Sequence, residues 1–340
     1  MPVKTIDEAY ALISQFRQTY IEYTRLEPIR AALDCVRLRD NKASEGGIVA
    51  ILGETRSGKS KLLQDYKSRF PDQPKAIRTK DGWADRREVI LLTLRNPSAK
   101  NLLESLYTEL TNAPPGDVSR HDLNGSIPKI AHALETRLII FDECHEAVDR
   151  KNDRIAHEIA VVFKILSNAS MFSLVLAGLP HETTRLFKSL PELQARVLET
   201  HVIKPFRWSN ERDRSDFIEI LLCYDESLAS VFGRLSGLNE EEVAIRIMIA
   251  CRGVIGLAAK LIERAAVRAA REMLDGRGDQ IAMHHLAQAF ETESDNEGRP
   301  NPFHVPLGVA VAEDPVPSAP VVELPAKFRR GQSEALLNKR

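Results

Sequence analysis

The octapeptide Gly53-Glu54-Thr55-Arg56-Ser57-Gly58-Lys59-Ser60 constrains this chain more than any other feature. It fits the pattern G-x-x-x-x-G-K-[ST] without a mismatch. A short β-rich run, Ile48 to Gly53, precedes it, and a helical run from Lys59 to Phe70 follows it. Strand, loop and helix in that order is the setting in which such a loop closes around phosphate. Gly53 and Gly58 let the backbone wrap tightly, so that successive N–H groups point inward. The helix N-terminus adds partial positive charge. In that geometry Lys59 reaches the β- and γ-phosphates of a nucleotide, and Ser60 offers its hydroxyl to Mg²⁺. Residues 53–60, with Lys61 beside them, are therefore the candidate cofactor-binding set, and the expected cofactors are ATP and Mg²⁺.

A second segment, Leu138-Ile139-Ile140-Phe141-Asp142-Glu143, is an apolar strand ending in two acids. Asp142 at the strand's carboxyl end can hold Mg²⁺ through water, and Glu143 can polarise an attacking water. Ligands of open α/β sheets gather at the carboxyl ends of strands, so both segments point to one crevice. Catalysis is thus assigned to Glu143 and Lys59, and the metal to Ser60 and Asp142.

The rest of the chain fits that frame. Apolar runs at 48–53, 89–94, 137–141, 172–177 and 201–203 read as strands, with helical stretches at 98–112, 127–136, 155–168 and around 191–198. Residues 113–126, with Pro and Gly, read as a loop. Strands alternating with helices predict a parallel five-stranded sheet flanked by helices. After Pro205 only helical patterns follow, at 211–224, 239–251, 256–274 and 283–291, which predicts a small all-helical lid domain. The expected division is N-terminal helices over 1–45, with Pro28 opening the second, the α/β nucleotide-binding domain over 46–205, the lid over 206–293, and an extended Pro-rich tail over 294–340. Apolar anchors Phe328, Leu336 and Leu337 among basic residues suit the tail to partner binding.

Composition excludes several alternatives. With 47 Lys+Arg against 48 Asp+Glu the chain is not a global polycation, so nucleic-acid contact must come from local asymmetry. Four cysteines without a CxxC pair argue against a zinc ribbon or a disulfide framework. No apolar run approaches a membrane span, and the N-terminus has no signal-peptide pattern, so a reducing cytoplasm is expected. Cys144 reads as a packed small residue and His145 as a surface or supporting histidine. His284 and His285 are expected to point to different faces of their helix, which disfavours a metal site.

Leu190-Pro191-Glu192-Leu193-Gln194-Ala195-Arg196 lies just before the last strand. Arg196 there is either a finger for a neighbouring subunit's γ-phosphate or the partner in a surface ion pair. Arg252, at the end of a lid helix, is open to the same two readings, as a nucleotide sensor or a solvated residue. Together GETRSGKS, LIIFDECHE, VLAGLP, LPELQARV and CRGVIGLAAKLIERAA resemble the AAA+ ATPases of DNA transposition, the TniB/TnsC type, over roughly residues 20 to 290. The resemblance implies an ATPase that assembles on target duplex DNA as a ring or helical filament. It would link a TniQ-type target-selection protein to the transposase, with hydrolysis setting the lifetime of the assembly. Ala177-Gly178-Leu179 offers no polar sensor side chain, and Ile255-Gly256 stand where the lid arginine is usual, so slow, assembly-dependent hydrolysis is expected.

From Arg56 to Lys100 there are twelve Lys/Arg against five Asp/Glu, a local balance of +7. That is either a DNA-facing patch or a solvated surface. Lys75, Arg78, Lys80, Arg86, Arg87 and Arg95 belong to it. Loops that the resemblance turns toward the duplex carry Lys100, Arg150, Lys151 and Arg154, the candidate DNA-binding residues. No base-reading module is visible, so sequence-independent backbone contact is expected. Two other P-loop switches compete: an initiator or helicase-loader ATPase, expected to carry a winged-helix domain after the lid, and a STAND-type signalling NTPase, expected to run into repeats.

Overall fold

The computed structural model describes residues 3–16, 20–39, 46–79, 82–95, 98–148, 153–169 and 171–306. These fall into two compact units. One comprises 27–55 and 59–203, the other 3–26, 56–58 and 204–306.

The first unit is built on β1 (Ile48–Gly53), β4 (Val89–Thr93), β5 (Leu138–Asp142), β6 (Ser173–Gly178) and β7 (Val197–Ile203), in the spatial order β4-β5-β6-β1-β7. Every pairing is parallel. The three inner strands are buried along their whole length, which explains their unbroken apolar spelling: a parallel strand covered on both faces has no solvent side to alternate with. The edge strands β4 and β7 carry exposed residues.

Helices α2 (Glu27–Leu38), α3 (Lys59–Ser68), α4 (Ala99–Thr111), α5 (Arg120–Ala133), α6 (Asp153–Asn168), α7 (Pro180–Lys188) and the short α8 (Pro191–Gln194) complete the unit. Leu102, Leu106, Ile127, Phe163 and Leu186 from these helices pack with Phe141 and Leu176 of the sheet. A separate two-stranded antiparallel sheet, β2 (Gln73–Thr79) with β3 (Gly82–Arg86), precedes β4.

Several boundaries depart from expectation. The predicted loop over 113–126 is cut short, because α5 begins at Arg120. Ser119 caps it by accepting the Asp122 N–H at 3.2 Å and donating its hydroxyl to the Asp122 carboxylate at 2.6 Å. Gly125 and Pro128 lie inside α5, where burial of Leu123, Ile127 and Ala131 along one face offsets their poor propensity. β7 begins at Val197 rather than His201, and the helical turn before it ends at Gln194.

The second unit holds α1 (Ile6–Phe16), α9 (Glu211–Phe232), α10 (Glu241–Ala250), α11 (Ile255–Leu274) and α12 (Met283–Glu291). The two helices described within 1–45 therefore belong to different units: α1 packs on α9 and α11, and α2 packs on the sheet. Phe16 meets Tyr224 edge-on at 4.9 Å. α9 runs eight residues beyond the predicted end at Tyr224, to Phe232. The buried Asp225 carboxylate stabilises the turn that follows by accepting the N–H groups of Ser236, Gly237 and Leu238.

Nor does an extended tail begin at Ser294. Arg299 donates to the carbonyls of Ile249 and Ala250, two of the orphan acceptors at the end of α10. Arg246 donates to the carbonyls of Pro302 and Val305, and Phe303 is buried. The chain is folded against α10 as far as residue 306. Residues 307–340, with the proposed partner-binding anchors, lie outside the described residues.

Candidate nucleotide site

The loop between β1 and α3 has the shape its glycines foretell. Gly58 takes φ 95° and Arg56 φ 66°, two left-handed residues in one short loop, the kind of backbone that lets successive amides gather around an anion. Lys59, the first residue of α3, is 5% exposed. Its Nζ donates to the carbonyls of Gly53 at 2.7 Å and Glu54 at 2.9 Å, folding the side chain back over the loop. Burial pushes its pKa below the ordinary lysine value, while the charges of Glu143, Asp142 and Glu54 pull the other way. The sequence motifs are thus joined: both acids at the end of β5 act electrostatically on the loop lysine. Ser60 and Lys61 follow on the first turn of α3, both half-buried, and Ser57 is buried.

Asp142 is 3% exposed and closes β5. Its Oδ1 accepts the Glu143 N–H at 2.9 Å, and its carbonyl accepts the Leu94 N–H. Thr93, at the carboxyl end of β4, is its register partner. A buried carboxylate at the end of β5 that acts electrostatically on the buried lysine opening α3 fits a triphosphate with its magnesium ion. When bound, Mg²⁺ would be held by Ser60 and Asp142 and would neutralise phosphate charge. Glu143 itself sits at φ 59°, a left-handed turn off the end of the strand. Its carboxylate lies 3.0 Å from His145 Nδ1, a neighbour the sequence reading did not assign. Cys144 is fully buried, with a thiol pushed well above the usual range by desolvation, and so is a packing residue.

Two glycines explain the missing sensor side chains. A Cβ on Gly178 would stand 2.5 Å from Thr183 Oγ1 and 3.0 Å from the His145 amide nitrogen, so the end of β6 has no room for a polar side chain. In the second unit, which includes residues 56–58, Gly256 donates its N–H to the Arg56 carbonyl at 2.9 Å, and a Cβ there would lie 2.5 Å from that oxygen.

Arg196 is half-buried and immediately precedes β7. Val197 pairs with Ile48, and Ile203 with Gly53, so Arg196 stands at the opposite end of the sheet from the loop. Five residue steps along β1, from Ile48 to Gly53, separate the two ends, about 17 Å. Arg252 is exposed, at φ 53°, in the turn between α10 and α11. Lys100 and Arg154 are exposed and pair with Glu104 at 3.5 Å and Glu158 at 3.0 Å, one helical turn along; exposed pairs of this kind hold with about 0.2–1 kcal/mol. Arg150 and Lys151 lie outside the described residues.

His284 and His285 do not face opposite ways. Their rings are 3.8 Å apart, and both Nε2 atoms lie near Glu272 Oε2, at 3.2 and 3.1 Å. The proton inventory nevertheless argues against a metal. Ala282 N–H donates to His285 Nδ1 at 2.9 Å, so Nδ1 holds the lone pair and Nε2 holds the proton it donates to Glu272. This is a helix cap with a carboxylate anchor.

Burial lowers the His285 pKa from 6.5, opposed by Glu272, and hydrogen bonds from the two histidines hold the Glu272 carboxyl below its usual range. The folded chain therefore takes up the His285 proton less readily than the unfolded chain. Its contribution to stability is present above pH 6.5 and declines as pH falls through that value, and the Glu272 contribution is lost lower, below 4.5. His285→Gln, which keeps an acceptor and cannot titrate, is expected to lose less Tm between pH 7.5 and 5.5 than the parent, as read by thermal unfolding. An equal or larger loss would contradict the assignment.

Residues 40–187 match the family described as AAA domain. No curated protein sequence matches the chain. Among solved structures, Cdc6p from Pyrobaculum aerophilum is similar with a TM-score of 0.56 at 14% identity, over 81% of this chain and 69% of that one. The Orc2 protein of Aeropyrum pernix, in ADPNP–ADP complexes, gives 0.54 at 16% identity, over 84% and 72%. A Walker-type ATPase of Pyrococcus abyssi gives 0.50 at 15%, over 80% and 75%. Sheet order, phosphate loop, acidic strand end and family match define the class: the chain carries an AAA ATPase domain with the AAA+ P-loop fold. Within that class its fold is similar to those of Cdc6p and Orc2. No described helix is long and apolar enough to cross a membrane.

Proposed function

We propose that this protein is an ATP-controlled switch that assembles, subunit on subunit, on duplex DNA. The observation that carries the reading is the position of Arg196. It lies at the far end of the sheet from its own phosphate loop, out of reach of its own nucleotide, which supports a role toward a neighbouring molecule's. An arginine offered in trans to a γ-phosphate ties hydrolysis to assembly. Adenine nucleotide as the ligand is supported by the fold shared with the Orc2 protein in its ADPNP–ADP complexes.

The test mixes two defective proteins. Arg196→Ala alone is expected to bind ATP normally and hydrolyse it roughly a thousandfold more slowly in the assembly. Titration with Lys59→Ala subunits, which keep the arginine, should restore activity toward about a quarter of the wild-type rate, the share of correctly mixed head-to-tail interfaces at equal amounts. No recovery at any ratio would count against the arginine acting in trans.

Two readings of the cellular role follow. The likeness to Cdc6p and Orc2 favours an initiator-type ATPase. The motif set GETRSGKS, LIIFDECHE, VLAGLP and CRGVIGLAAKLIERAA supports a TniB/TnsC-type regulator joining a TniQ-type protein to a transposase. Purification of the DNA-bound assembly with candidate partners separates them: retention of a transposase supports the second reading, and retention of a replicative helicase the first.

A further inference from the structure

The basic stretch before β4 sorts into two kinds of residue. Arg87 is 5% exposed, donates to the Glu109 carbonyl at 2.7 Å and to Asn112 Oδ1 at 3.1 Å, and lies near Asp72 and Asp85. Arg86 pairs with Glu135 at 2.9 Å. These two arginines clamp the root of the β2–β3 hairpin and occupy the acids around it. The outer part is different. Lys75 and Arg78 are exposed, and neither side chain has an ion pair among the described residues. Trp83, the register partner of Arg78, is 62% exposed.

Neither strand bonds to the five-stranded sheet. A free two-stranded ribbon is marginal in water, and here the arginines at its base hold it. A clamped ribbon presenting exposed cations beside an exposed indole has the charge and width to enter a groove of duplex DNA.

We propose that the β2–β3 hairpin is a DNA-contacting ribbon, with Lys75 and Arg78 on phosphates and Trp83 against the groove wall. The inference rests on the DNA reading above and adds a surface to it. Lys100 and Arg154, the described residues first assigned to DNA, lie on other elements. Contact through phosphates and an indole face reads no base sequence, so the ribbon serves binding at any site.

The test uses the full chain with ATP and duplex DNA. The chain has two tryptophans, so Trp208→Phe leaves Trp83 as the only indole. Its emission should be quenched and shifted when DNA is added. Lys75→Gln with Arg78→Gln should lower affinity roughly tenfold and reduce the magnitude of the slope of log K against log salt by about 1.8, two contacts at about 0.9 each. Trp83→Ala should lower affinity roughly fivefold without changing that slope. ATP affinity should be the same in all variants, which shows that the fold is kept. DNA binding by the parent with unchanged emission and unchanged salt slope in the double variant would overturn the ribbon alone. Failure of the parent to bind DNA in any nucleotide state would overturn the DNA reading and the ribbon with it.

Discussion

Lys59→Ala is expected to lower ATP affinity at least a hundredfold. The side chain is buried, and its ammonium lies over the loop on the carbonyls of Gly53 and Glu54. Arriving phosphates exchange those neutral acceptors for anionic ones, which adds ion–ion attraction to bonds whose donor is already charged. Removing the ammonium leaves the phosphates facing Asp142 and Glu143 without the cation between them. At a partly buried site one such charge amounts to about 3 kcal/mol or more, hence the hundredfold loss. Titration calorimetry with ATP measures it, and an unchanged thermal transition without nucleotide shows that the variant is folded. Wild-type affinity in the variant would remove the phosphate assignment.

Glu143→Gln should separate binding from hydrolysis. Glu143 stands one residue beyond the buried Asp142 and turns off the strand in a left-handed conformation, so its carboxylate is not part of the sheet core. An amide of the same shape cannot take a proton from water. General bases contribute about 10²–10⁴ in rate, and hydrolysis should fall by that order while ATP affinity stays within about threefold. Phosphate release under single-turnover conditions reads the chemical step. Hydrolysis at the parent rate would show that another group activates the water.

The parts of the fold that sequence made legible share one property: a local signal matched by the tertiary setting. β1, β5 and β6 are buried on both faces and spell it out in unbroken apolar runs. The loop at 53–60 needs particular residues at particular places, and the dihedral angles of Arg56 and Gly58 follow from it. What stayed hidden depends on contacts distant in sequence. The β2–β3 hairpin has no alternating pattern, because its outer part is exposed and its root is held by arginines rather than by apolar burial. Arg87 looks like its surface neighbours in sequence, yet carbonyl and amide acceptors at the end of α4 make it a clamp.

Gly178 and Gly256 looked like departures from a pattern until the atoms they admit were visible, Thr183 Oγ1 beside one and the Arg56 carbonyl beside the other. His284 and His285 are adjacent in a helix and so were expected to diverge. Glu272, twelve residues earlier than His284, draws both to one oxygen, which helix periodicity alone does not foretell.

The central claim is that bound ATP, through an arginine offered between subunits, holds an assembly together on DNA. Sedimentation of Glu143→Gln with duplex DNA, in ATP and in ADP, tests it most directly. Large DNA-bound species are expected in ATP, and they should disperse in ADP. Adding Arg196→Ala to the same chain should weaken the ATP-dependent species. A single monomeric boundary in both nucleotides, or the same assembly in both, would contradict it.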